Sequence, residues 1–199
     1  MKQTKFKKDK YRVLRGVITK DVANFLLHYL VMKRTVAKTL HNMNGGEQGM
    51  NGTGTFLDQQ VPGAYSLYGD PGFDTLLNAT SGVMTKLLGG KVYPTYSYAR
   101  LYTTGHDLKR HKDRPSCEIS TTVNLGGDPW PIFIEPSGKK NKKGKKVTLG
   151  PGDMLFYFGC KLEHWREPFE GKVCGQAFLH YSTKETLKFD DRLHLGLPK

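Results

Sequence analysis

The sequence predicts an α+β, mainly β domain in which helices come first and strands follow. Two observations carry this. Apolar residues recur at helical spacing between Val22 and Leu88, and after Gly90 the texture turns to short aromatic and β-branched runs punctuated by Gly and Pro. No internal repeat and no linker divides the 199 residues, so one domain is expected. Its parts are a basic arm over 1–15, helical support with a Gly-rich loop over 16–90, a β core over 91–181 and a tail over 182–199.

Thr19 is positioned to cap a first helix, in which Val22, Phe25, Leu26, Tyr29 and Leu30 recur and the pattern runs to about Met43. Residues 44–55 hold five glycines and read as a loop, because glycine is costly to order. Asp70-Pro71 opens a second helix, with the carboxylate as cap and proline in the first turn. Phe73, Leu76, Leu77, Val83, Met84, Leu87 and Leu88 follow, and Gly89-Gly90 ends it. Strands are expected at 92–93, 96–102, 117–125, 131–135, 146–149, 153–158 and 172–181. Helices on one face of a mainly antiparallel sheet or sandwich would satisfy this order.

The net charge of +13 is concentrated in two places. Residues 1–15 carry seven bases against Asp9, and K-K-N-K-K-G-K-K at 139–146 carries six lysines. Setting aside those thirteen bases and one acid leaves 18 basic against 17 acidic residues, so the body is nearly neutral. Either run suits a nucleic-acid phosphate backbone, and either equally suits a solvated arm or loop. Three cysteines without C-x-x-C spacing argue against a disulfide framework and a thiolate zinc site. No stretch reaches the length of a membrane span and no apolar signal core follows the basic start, so a cytoplasmic protein is expected.

The chemistry concentrates in His111-Lys112-Asp113. Positions i and i+2 of an extended segment point to the same side, so both side chains can converge on one ion. His164, which follows the expected strand at 153–158, is the leading third ligand. Two histidines and one carboxylate on one face leave open positions, the arrangement of non-haem iron(II) oxygenases. H-x-D alone is a weak signal. His28, His41, His180 and His194 are competing thirds that more often serve structure or solvent.

From about Tyr93 to Tyr181 the sequence resembles the 2-oxoglutarate/iron(II) oxygenases, in their prolyl 4-hydroxylase-like branch. The resembling pieces are Y-T-T-G-H-D-L-K-R-H-K-D (102–113), L-G-P-G-D-M-L-F-Y (149–157) and E-H-W-R-E-P-F-E-G-K (163–172), with Pro168 four residues after the distal histidine. The resemblance implies a double-stranded β-helix, a distorted jelly roll with supporting N-terminal helices. It also implies iron(II) on His111, Asp113 and His164, with 2-oxoglutarate and dioxygen as cosubstrates and ascorbate in support. The reaction implied is hydroxylation of a C–H bond with release of succinate and carbon dioxide. A prolyl residue in a protein or peptide is the nearest-family substrate. A nucleic-acid demethylase on the same metal core and a non-enzymatic basic binding module stand as alternatives.

The family neutralises the distal carboxylate of 2-oxoglutarate with a cation at the start of the strand after the distal histidine, and Lys172 matches that place. The interval from His164 is slightly short, and E-G-K is also a natural hairpin tip, so Arg100 is the substitute. Tyr102 resembles the tyrosine lining the cosubstrate pocket, and Thr122 falls where a second polar contact would lie. Arg114, Trp165 and Arg166 are expected to line the mouth and meet substrate. Residues 44–60 are expected to close as a lid, with Phe56, Tyr65 and Tyr68 as apolar contacts, and the loop 139–146 to be mobile.

Overall fold

The computed structural model describes residues 10–43, 53–114, 117–140 and 142–185. Two helices back a pair of antiparallel sheets. The helices are α1 (Lys20–Met43) and α2 (Pro71–Leu88). The strands are β1 (Tyr11–Leu14), β2 (Tyr65–Tyr68), β3 (Tyr93–Thr103), β4 (Leu108–His111), β5 (Ile119–Gly127), β6 (Ile132–Ile134), β7 (Lys145–Val147), β8 (Met154–Tyr157), β9 (His164–Arg166) and β10 (Val173–Ser182). The large sheet runs β1-β8-β5-β10-β3-β2 and the small one β4-β9-β6-β7. This is the double-stranded β-helix.

Both helices begin where side-chain chemistry starts them. The Val22 N–H donates to the Thr19 hydroxyl at 3.2 Å, and the Gly72 N–H to the Asp70 carboxylate at 2.9 Å. Gly89, at φ 69°, returns its N–H to the Thr85 carbonyl and closes α2. In α1 the buried stripe is Ala23, Leu26, Leu30 and Ala37, while Val22 and Phe25 face outward, one position round from the core. Leu26, Leu30 and Ala37 of that stripe, with Phe73, Leu76, Leu77 and Met84 of α2, pack on Ala99, Leu101, Val123, Phe156, Ala177, Leu179 and Tyr181 of the large sheet. Burial at roughly 25 cal/mol per Å2 of apolar surface makes this layer the main stabilising contact.

Four strands lay outside the expected set: β1, β2, β4 and β9. Each has three or four residues, too few for alternation to show without a partner. β1 also corrects the basic arm. Residues 11–14 pair with β8, and Arg15 binds Asp153 at 2.5 Å, so this part of the arm is an edge strand. Residues 1–9 and 186–199, including His194, lie outside the described residues, as do 44–52 of the expected lid and Asn141 of the lysine loop. In that loop Lys145 and Lys146 belong to β7 and point into solvent. Among the described residues no helix is long and apolar enough to cross a membrane.

Candidate metal centre

The space between the two sheets is a cavity of about 430 Å3. Alternation decides what faces it. From β3 come Tyr96, Tyr98 and Arg100, and from β10 come Phe178 and His180. On the opposite side β4 and β9 pair with His111 directly beside His164. Asp113 is tied back by its N–H to the Gly159 carbonyl at 3.0 Å. A side chain at Gly159 would clash with the Asp113 carboxylate and the Ser120 hydroxyl, so that carbonyl can come close only behind a glycine.

His111, Asp113 and His164 each offer one ligand atom, and these atoms lie within 4.8 Å of one another. The Nε2 atoms of His111 and His164 stand 3.5 and 3.4 Å from Asp113 Oδ1. Both rings are oriented from behind. His111 Nδ1 meets the Lys109 carbonyl at 2.7 Å, and His164 Nδ1 meets the Leu162 carbonyl at 3.1 Å. A nitrogen facing a carbonyl must donate, so each Nε2 keeps its lone pair for the centre. Asp113 Oδ2 accepts from the Ser120 hydroxyl at 2.6 Å, leaving Oδ1 for the same point. Burial alone would push the Asp113 carboxyl up, but the neighbouring imidazoles outweigh it and hold the group well below the usual carboxylate range. The donor set and its orientation fit a divalent metal of the 2-His-1-carboxylate kind.

Several groups around the centre carry no signal in the sequence. Ser120 also bonds His180 Nδ1 at 3.1 Å, and His180 stacks on Tyr96 with ring centroids 4.3 Å apart. Burial lowers the His180 pKa to about 4, so the ring is neutral near pH 7. Gln60 reaches His111 Nε2 with its amide nitrogen at 2.9 Å and accepts from Arg100 at 3.0 Å. Asp58 pairs with Arg100 at 2.5 Å. These contacts join residues far apart in the chain, Ser120 and His180 by 60 positions and Gln60 and His111 by 51, which no local pattern reveals.

Of the cosubstrate residues, Arg100 and Tyr102 are buried on the inner face of β3, and the Arg100 guanidinium donates to the Tyr102 hydroxyl at 3.0 Å. Thr122 is buried and donates to Gln176 at 3.1 Å. Lys172 requires a correction. It is exposed in the turn before β10, and its backbone N–H donates to Asp128 at 2.6 Å. The strand begins one residue later, so the first inward side chain is the thiol of Cys174.

The residues expected at the mouth divide three ways. Arg114 does line the cavity. Trp165 lies on the outer face of the small sheet, stacked on Phe133 and covered by Arg110. Arg166 points inward beside His164 and is only 3% exposed. Strand alternation causes the split: His164 in, Trp165 out, Arg166 in. Burial pushes the Arg166 pKa down, and among the described residues no carboxylate pairs with it. Of the lid, Phe56 packs on Tyr65, Tyr65 is buried in the core and Tyr68 stays partly in solvent.

Comparison with known proteins supplies the fold. No family model matches the chain, and no curated protein matches it. Solved structures do. A prolyl-4-hydroxylase from Pseudomonas putida superposes with a TM-score of 0.67 at 12% identity, over 90% of this chain and 95% of that one. The viral collagen prolyl hydroxylase of Paramecium bursaria Chlorella virus-1, solved with 2-oxoglutarate, gives 0.59 at 11% identity over 89% and 98%. HygX from Streptomyces hygroscopicus, solved with nickel, 2-oxoglutarate and hygromycin B, gives 0.65 at 12% identity over 89% and 84%. This chain shares their fold. One of these is named a collagen prolyl hydroxylase and another was solved with hygromycin B bound, so the fold alone does not select a ligand.

Proposed function

We propose that this chain is a 2-oxoglutarate-dependent iron(II) dioxygenase that hydroxylates a C–H bond. One observation carries the reading: two imidazoles and a carboxylate converge at the wall of a cavity, each with its second polar atom already satisfied. His111, Asp113 and His164 would hold the metal. Bound iron(II) and 2-oxoglutarate would supply the oxidative decarboxylation that yields succinate, carbon dioxide and a hydroxylated product. The protein contributes position. The Lys109 and Leu162 carbonyls fix the imidazoles, Ser120 fixes the carboxylate, and Ile132 and Tyr157 keep the inner wall dry. Gln60 now occupies the lone pair of His111 that a metal would use, so metal binding displaces its amide.

A prolyl residue of a protein or peptide is the substrate we favour. Two prolyl hydroxylases superpose on nearly this whole chain, and Tyr96, Tyr98 and Phe178 offer an aromatic wall suited to a saturated ring. The test is incubation of candidate peptides, small acceptors and oligonucleotides with the protein, iron(II), ascorbate and 2-oxoglutarate, read by mass spectrometry. A gain of one oxygen on a prolyl residue, with one succinate formed, is expected. A gain on a nucleobase or on a small acceptor would move the substrate class, and no succinate under any condition would overturn the enzyme reading.

A further inference from the structure

The two basic runs of the sequence, far apart in the chain, meet at one edge of the fold. β1 is the outer strand of the large sheet and β7 the outer strand of the small one. Tyr11 and Val13 of β1 pack against the same apolar cluster that holds Val147 of β7. The contact extends to the charges. Lys145 Nζ lies 6.0 Å from the Tyr11 ring centroid, and a Cβ on Gly138 would stand 3.7 Å from both Lys10 Nζ and the Lys161 carbonyl oxygen. Lys161 in turn lies 4.9 Å over the Phe158 ring, and the Phe158 N–H donates to the Lys10 carbonyl at 3.1 Å. Three separate segments thus bring their cations to one place.

The fold fixes this edge and leaves its charges unpaired. Among the described residues Lys10 is the only non-glycine with positive φ, at 60°, a conformation disfavoured for any residue with a Cβ. The connection from β6 to β7 is held by its backbone. The Lys139 N–H donates to the Glu135 carboxylate at 2.9 Å, Arg110 donates to the Lys142 carbonyl at 2.5 Å, and a Cβ on Gly144 would collide with the Trp165 ring. Its lysines are exposed. Glu135 is buried and spends its oxygens on Ser137 and the Lys139 N–H, and Glu163 pairs with Arg110. Among the described residues lysine pairs with a carboxylate at Lys33 on α1 and at Lys109 on β4, and nowhere on this edge. Like charges gathered in this way favour an anion, because phosphates bound there release their counterions. Aromatic rings lie among them. Phe133 is the cross-strand partner of both Trp165 and Lys146, so the three share the outer face of the small sheet, where the two rings stack 5.4 Å apart. The large exposed apolar side chains of the described residues lie on α1, on α2 and at Leu57 and Tyr68, so this edge has no wedge to insert into a bilayer.

We propose that this edge binds single-stranded nucleic acid. Its phosphates would lie on the exposed lysines of β7 and of the β6–β7 connection together with Lys10, Arg12 and Lys161, and its bases against the half-buried rings of Phe133 and Tyr11. Lysines are point charges and every base has a face to stack, so the binding is tolerant of sequence. Nucleic acid is then a ligand of the outer surface, independent of the dioxygenase reading and of what the cavity hydroxylates.

The test is fluorescence anisotropy of the full chain with labelled oligo(dT), oligo(U) and a duplex, each of about 20 nucleotides per strand, between about 50 and 300 mM salt. Sedimentation with phosphatidylserine vesicles runs beside it. A single strand should bind, with affinity falling about three to four decades per decade of salt, the response of roughly five phosphate contacts. Lys145→Gln with Lys146→Gln, and separately Lys10→Gln with Arg12→Gln, should each weaken binding and lower that slope by about 1.4, two contacts apiece. Phe133→Leu should weaken binding about fivefold or more with the slope unchanged, as loss of a stacked base requires. Tyr11→Leu gives the same reading should the Phe133 variant not fold. Tighter binding of oligo(U) than of oligo(dT), or the reverse, supports the proposal and names the strand. Equal or tighter binding of the duplex or the vesicles overturns it, as does a salt slope near zero. Loss confined to one of the two charge variants overturns it too, because the two runs would then not form one surface.

Discussion

Along β10, Ala177, Leu179 and Tyr181 face the helices and meet an apolar layer, whereas Gln176, Phe178 and His180 face the small sheet and meet polar and charged groups. The helix side satisfies its few polar atoms locally: the Tyr181 hydroxyl bonds the Leu77 carbonyl at 3.0 Å and Thr80 at 2.7 Å. The cavity side holds His180, bonded to Ser120, in its neutral form. One face of the same strand is thus built for stability and the other for binding. Substitutions on the two faces should separate the two properties.

The largest separation is expected at Asp113. Asp113→Ala should take 2-oxoglutarate turnover to background while the melting temperature stays near that of the metal-free wild type. Substantial turnover in this variant would break the metal assignment. Leu179→Ala should do the reverse, costing about 2–5 kcal/mol in a denaturant titration because a buried leucine leaves a cavity. Mn(II) affinity of the folded fraction should be retained. Ser120→Ala removes the partner of Asp113 Oδ2, and metal affinity should fall about tenfold to a hundredfold, measured by Mn(II) titration.

Asp58 tests the cavity face by pH. Burial raises its carboxyl pKa, but Arg100, Tyr98 and Ser66 outweigh that and lower it overall. A depressed carboxylate contributes stability that is present above its unfolded pKa and lost as pH falls through the folded value. Asp58→Asn should therefore melt lower at neutral pH and lose less on acidification below the ordinary carboxylate range. Parallel acid limbs in thermal melts of the two proteins would contradict the pairing. The smallest effect belongs to Lys172→Ala, within about 0.5 kcal/mol in stability and with unchanged 2-oxoglutarate affinity, since the side chain stands in solvent.

Local chemistry alone determined both helices, their caps at Thr19 and Asp70, six of the ten strands, and the convergence of His111 with Asp113, because periodicity and i, i+2 spacing are written in adjacent residues. The resemblance carried by three ordered motifs added His164 and the double-stranded β-helix. Tertiary structure decided the rest. The short strands β1, β2, β4 and β9 exist because partners supply their hydrogen bonds. The placing of Lys172 and Arg166 has a related reason. Where β10 begins, and which face of β9 turns inward, is set by pairing with other strands, so a one-residue difference puts one cation in water and the other in the core.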